Sequence, residues 1–211
     1  VRRAHERVAK ILDEWERGGK QGLCPVPNEP INPVRPSPNA RGLSAVTRYG
    51  MESFGDLFMA RQKATLVTLL AIVSRISAVG ACATFLSLAL SRFTDIYNAL
   101  CRWENTKNQV RNLFTRQAIA MVWAPAEASP LGAQAGDFAT TLATMVKVVE
   151  SFALAKAGQA QLADAAEHPL PDEAASVWFT DPPYYDAIPY ADLSDFFFVW
   201  LMRAAQPSPM M

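Results

Sequence analysis

Residues 64–90 are the most apolar stretch of this 211-residue chain, and they must be buried somewhere. A membrane span takes about 20 consecutive, mostly apolar residues. Here Arg75 interrupts the stretch, Arg61 and Lys63 stand at its start, and the run 66–73 is too short. The pattern therefore favours a buried helix pair over a span. The first helix runs through Phe58, Leu66, Leu69, Leu70 and Val73, with Ser53 or Asp56 as its N-cap. Gly80 punctuates. The second covers 81–101, with Phe85, Leu86, Leu88, Leu90, Phe93 and Tyr97 on its apolar face. Adjacent helices with a tight break predict an antiparallel hairpin.

Helical spacing recurs at Val8, Ile11, Leu12 and Trp15, which predicts a helix over 2–17 ended by Gly18, Gly19 and Gly22. Residues 23–40 then carry Pro25, Pro27, Pro30, Pro33, Pro36 and Pro38. Proline has no backbone donor and a fixed φ, so this segment reads as an extended connector laid on the surface. Residues 102–116 are basic, with Arg102, Lys107, Arg111 and Arg116 around Trp103 and Phe114. They read as a solvated helix face with two core aromatics, or as phosphate and stacking contacts to DNA. Small residues make 125–136 a loop, and Asp137 is an N-cap for a helix over 138–156 ended by Gly158. Residues 161–165 read as a strand tip and 169–173 as a turn.

Half the residues are hydrophobic, which supports a sizeable core. Lys plus Arg equals Asp plus Glu at 20 each, and this neutrality counts against a complete DNA groove on this chain alone. The three cysteines, Cys24, Cys82 and Cys101, form no CxxC pair, and His5 and His168 are isolated. No self-contained zinc ribbon, metal site or disulfide framework is expected, and the setting reads as reducing and cytoplasmic. The first residues, from Val1, lack an apolar signal core, and the absence of a starting Met suggests a segment of something longer.

Asp181-Pro182-Pro183-Tyr184 carries the chemistry. It follows an apolar run at 175–180 that reads as a buried strand, so it forms a rigid lip at a strand's C-terminal end. Such a lip suits a flat ring bearing an amino group. The exocyclic nitrogen of adenine or cytosine is a poor nucleophile because its lone pair is delocalised. An enzyme that methylates it takes the base out of the duplex or uses a single strand. It also accepts the amino hydrogens, stabilising the developing positive charge. Asp181 supplies a carboxylate for this and Pro182 a carbonyl. Pro183 offers no competing N–H, and Tyr184 stacks on the base, a contact worth about 1–3 kcal/mol. Tyr185 and Tyr190 serve as pocket walls. Asp192 or Asp195 caps the following helix, and residues 196–200 read as core. As a bare tetrapeptide the motif also reads as a strand-to-turn corner.

With its continuation Tyr185-Asp186 and the run from Ile188 to Phe197, the motif resembles the large adenine-specific DNA methylases. More narrowly, it is similar to a poorly characterised group described as containing a zinc ribbon. Thr47-Arg48-Tyr49-Gly50, Phe54-Gly55-Asp56-Leu57-Phe58, Cys101-Arg102-Trp103 and Met121-Val122-Trp123 resemble the same group. The resemblance implies a Rossmann-like core and S-adenosylmethionine as cofactor. It also implies an acidic residue near the cofactor's adenine, a place that Asp164 occupies. No Gly-rich turn follows a strand here, although such a turn normally cradles the cofactor. The ribbon is also missing.

The expected fold is α/β but helix-dominated, a helical region followed by part of a Rossmann-like methyltransferase sheet. Residues 1–40 form a helix plus connector, 41–136 a helical insertion, and 137–211 a partial core. The expected function is adenine methylation in DNA. Asp181, Pro182, Pro183 and Tyr184 are catalytic, Tyr185 and Tyr190 bind substrate, and Asp164 binds cofactor. The upstream Gly-rich part is a required partner. The alternative is a catalytically silent helical interaction domain in which the tetrapeptide is a corner.

Overall fold

The computed structural model describes residues 1–33, 46–76, 81–152, 158–164, 166–167, 170–184 and 188–205. Five α-helices dominate it: α1 (Arg2–Arg17), α2 (Ala60–Ile76), α3 (Ala81–Ile96), α4 (Phe138–Phe152) and α5 (Tyr190–Ala205). The one sheet among the described residues is a hairpin of β1 (Arg102–Glu104) and β2 (Gln109–Arg111). Its antiparallel register sets Arg102 opposite Arg111 and Trp103 opposite Val110.

Helices α2 and α3 form the predicted hairpin. The Tyr97 hydroxyl, just past α3, donates to Thr65 Oγ1 near the start of α2 at 3.3 Å, which fixes the antiparallel sense. Gly80 lies outside the described residues. Leu66, Leu70, Val73, Leu90 and Phe93 are buried as their spacing predicts. Phe85 and Leu88, expected on the same apolar face, are exposed, because the core covers only the C-terminal half of α3.

Ser53 and Asp56 do not cap α2. They form a capping box on a short 3-10 turn, Phe54–Leu57, that precedes it. Burial raises the Asp56 pKa, but hydrogen bonds from Ser53 and Glu52 and the nearby Lys63 outweigh it and hold the carboxyl below its ordinary value. The buried Gln62 satisfies the start of α2 instead, its Oε1 accepting from Met59 N–H at 2.8 Å.

The proline segment is not a surface connector where it is described. Cys24, Val26 and Ile31 are buried. Prolines suit such a place because they bring no N–H that needs a partner. The remaining amides find one: Ile31 N–H donates to the Glu52 carbonyl at 2.8 Å and Phe54 N–H to that of Glu29 at 3.1 Å. Gly55 lies so close to Pro27 that a Cβ there would stand 2.3 Å from the proline carbonyl oxygen. Arg203, buried on α5, holds the segment from the other side. Its Nε donates to the Cys24 carbonyl at 2.6 Å and its guanidinium pairs with Glu29 at 3.0 Å.

Helix α5 anchors the C-terminal region in the main core. Phe196 and Trp200 are fully buried, and both rings meet Phe58, at centroid distances of 5.8 and 5.1 Å. The expectation of core for this run holds, except that Phe198 is exposed. Helix α4 packs on α3 through Phe138, whose ring meets Phe93 edge-on at 5.5 Å. Asp137 caps α4 as predicted, accepting from Thr140 N–H and, with its other oxygen, from Ala133 N–H, both at 3.0 Å.

The Rossmann-like sheet expected over 137–211 is not found among the described residues. Residues 161–164 and 175–180 form no strand. Conversely, 102–116 is not a helix face. It is the β1–β2 hairpin followed by a 3-10 turn, Leu113–Thr115. Arg102 and Arg111 face each other across a turn that contains Lys107 and at which Asn108 takes φ +48°, a left-handed conformation that favours reversal over helix.

Candidate base-binding site

A turn opens the segment that carries the motif. Ala174 N–H donates to the Pro171 carbonyl at 3.2 Å, and Glu173 takes φ +62°. From there the chain runs without strand or helix to Tyr184, and every residue of 171–184 is exposed. The predicted buried strand is therefore an exposed arm. Phe179 is 90% exposed, and Val177 and Trp178 are open too. The physical reason is pairing. A strand buried on both faces needs neighbours to take its amides and carbonyls, and no described strand lies beside this one.

Asp181, Pro182, Pro183 and Tyr184 follow one another at the arm's far end, in neither helix nor strand. Among the described residues no hydrogen bond or ion pair engages Asp181. Tyr184 is 68% exposed. A corner held by local N–H groups around the aspartate, with the tyrosine in the core, is not what the geometry shows. Neither is a closed pocket: all four residues are exposed.

Tyr190 is the first residue of α5, half-exposed, and its N–H donates to the Ile188 carbonyl at 3.0 Å. It stands six positions beyond Tyr184, on the helix that ties the arm to the core. Tyr185 lies outside the described residues. Asp164 is on a separate exposed turn, where its Oδ1 accepts from Ala166 N–H at 2.9 Å and its carbonyl from Glu167 N–H at 3.1 Å. That is turn chemistry, away from any described strand end. S-adenosylmethionine needs a glycine turn after a strand. The described residues offer none, so they do not fit that cofactor by themselves. Nor do they bring together a His, Cys, Asp or Glu cluster able to hold a metal ion.

Two features escape sequence reasoning because each joins distant positions. Arg61 pairs directly with Glu127, and both line a cavity of about 500 Å³ together with Thr65 and Tyr97. Its polar groups satisfy one another. The second is an exposed aromatic pair. The rings of Tyr49 and Trp123 meet edge-to-face with centroids 4.8 Å apart, and Trp123 is 74% exposed.

No family model, curated protein or solved structure matches this chain. No helix among the described residues is long and apolar enough to cross a membrane.

Proposed function

We propose that this chain is the base-gripping segment of a DNA amino-methyltransferase acting on adenine. Its cofactor-cradling half, with S-adenosylmethionine, comes from Gly-rich sequence outside this chain. One observation carries the reading: Asp181 and Tyr184 flank the two prolines that stiffen the arm, and both are exposed, with no hydrogen bond or ion pair at Asp181 among the described residues. A clamp needs a free carboxylate and a free aromatic face, and burial or local hydrogen bonding of either would disable it.

In this reading the adenine leaves its stack and lies on Tyr184. Its amino hydrogens donate to the Asp181 carboxylate and the Pro182 carbonyl. The nitrogen becomes more tetrahedral, and the carboxylate faces the positive charge that develops on it. Pro183 keeps the carbonyl aimed by bringing no N–H of its own. The apolar arm becomes a sheet strand when the missing neighbours pair with it. A cytoplasmic setting fits the three free thiols.

A methyl-transfer assay on the longest polypeptide containing this chain, with adenine-bearing DNA and labelled cofactor, tests this. Asp181→Ala is expected to lower turnover by about 100- to 1,000-fold, the scale seen when one transition-state hydrogen-bond partner is removed. Unchanged turnover rejects the clamp. Calorimetry of this chain alone with S-adenosylmethionine is expected to show no micromolar binding.

A further inference from the structure

We propose that Tyr49, Trp123, Arg102 and Arg116 form a second surface, away from the Asp181 arm in sequence, that binds single-stranded nucleic acid. Arg102 opens β1 and Arg116 follows the 3-10 turn Leu113–Thr115. Both line one pocket of about 190 Å³, with Asn112 and Thr115 also polar and Leu113 and Val122 apolar. Val122, which lines the pocket, is the chain neighbour of the exposed Trp123. The pocket offers apolar contact for a sugar or base edge, and the two guanidinium groups offer charge to phosphates on either side. Trp123, backed edge-on by Tyr49, offers an open ring face for the next base.

The frame beneath is fixed. Asn112 Nδ2 donates to Asp95 Oδ2 on α3 at 2.9 Å, and Phe114 N–H donates to Asp95 Oδ1 at 3.0 Å. Ala126 N–H donates to the Cys101 carbonyl at 2.8 Å, holding the strip with Trp123 against the hairpin's base. A preformed platform loses little ordering entropy on binding.

Charge supports the assignment. Glu104 pairs with Arg111 at 3.6 Å and also faces Lys107, so those cations are partly neutralised. Among the described residues no carboxylate pairs with Arg102, Arg116 or the exposed Arg48 beside Tyr49. Three free cations around two exposed aromatics, on a chain of net charge zero, match the stacking-plus-phosphate chemistry of single strands. A duplex hides its base faces and leaves Trp123 nothing to stack on.

This surface goes beyond the reading of Asp181 and does not depend on methyl transfer. The test is anisotropy of a fluorescein-labelled 12-base single strand, titrated with this chain at several salt concentrations. Trp123→Ala is expected to weaken binding about 5- to 160-fold. The double variant R102A/R116A is expected to flatten the slope of log affinity against log salt by about 1.4, from two phosphate contacts at about 0.7 each. Arg3→Ala, which removes one exposed cation on α1, leaves affinity within twofold. All these side chains are at the surface, so helix content should not change. No binding by the unaltered chain, unchanged binding by Trp123→Ala, or equal affinity for a duplex overturns the proposal. Binding that persists where methyl transfer fails rejects the Asp181 reading and leaves this one standing.

Discussion

The 196–200 run on α5 and the 177–179 run on the arm are written in the same residue types and meet opposite fates. Phe196, Val199 and Trp200 are buried, whereas Val177, Trp178 and Phe179 are open. Hydrophobicity does not separate them; backbone pairing does. A helix satisfies its own amides and needs only one face covered. A lone strand satisfies none and cannot enter a core without neighbours. The chain therefore completes its helical part and leaves its strand-like part, with the tetrapeptide, outside.

Core truncation breaks this comparison most sharply. Trp200→Ala is expected to cost about 3–5 kcal/mol, by lost transfer energy and a cavity against Phe58. Trp178→Ala on the arm should stay within about 0.5 kcal/mol, as for other surface substitutions. Denaturant titration of both variants reads the difference; equal losses would mean that the arm is packed after all.

Arg203→Ala comes next. It leaves Glu29 without its cation and the Cys24 carbonyl without its donor. Removing one partner of a buried pair costs about 3–5 kcal/mol, and Glu29's partial exposure places this one at or below the lower end. The same titration reads it. The loss should couple α5 to the proline segment, so that both loosen together in limited proteolysis.

Asp137→Ala should cost about 0.5–2 kcal/mol, the range for a lost N-cap. Burial raises the Asp137 pKa, but N–H donors from Thr140, Ala133, Ala139 and Gly132 outweigh it and hold the carboxyl below its ordinary value. Its contribution is therefore complete above the ordinary aspartate range and fades as pH falls through the lowered folded value. Thermal melts between neutral and acid pH should show the gap between Asp137→Ala and the parent closing at low pH.

The smallest effect is chemical. Cys82 is exposed and should react with a thiol reagent in the folded chain, whereas Cys24 and Cys101 should not. Burial pushes the Cys101 thiol up to about 12, with Asp95 adding to the shift and the Asn98 backbone opposing it. Mass spectrometry after brief alkylation counts the labelled sites, and modification of Cys101 at neutral pH would contradict the buried hairpin base.

The sequence made local features legible. Spacing placed α1 to the residue, the core positions of α2, and the Asp137 cap. Patterns that depend on distant partners were not legible. Six prolines read as a surface linker because nothing in their spacing shows Arg203 and Gly55 waiting to receive residues 24–31. The basic 102–116 segment read as a helix face because its apolar residues are too sparse to separate a period of 3.6 from 2. The strand at 175–180 had the right composition, yet composition cannot supply its neighbours. The tetrapeptide is a local feature of the sequence, whereas the meeting of Tyr49 with Trp123 across 74 positions leaves no local signal.

Hydrogen exchange of the parent chain tests the central contrast most directly. Amides of 175–184 should exchange within seconds at neutral pH, while those of α2, α3 and α5 that face the core stay protected for far longer. Protection across 175–184 matching that of α5 would contradict the account, because it would mean that the arm is already paired and the Asp181 lip already built into a sheet.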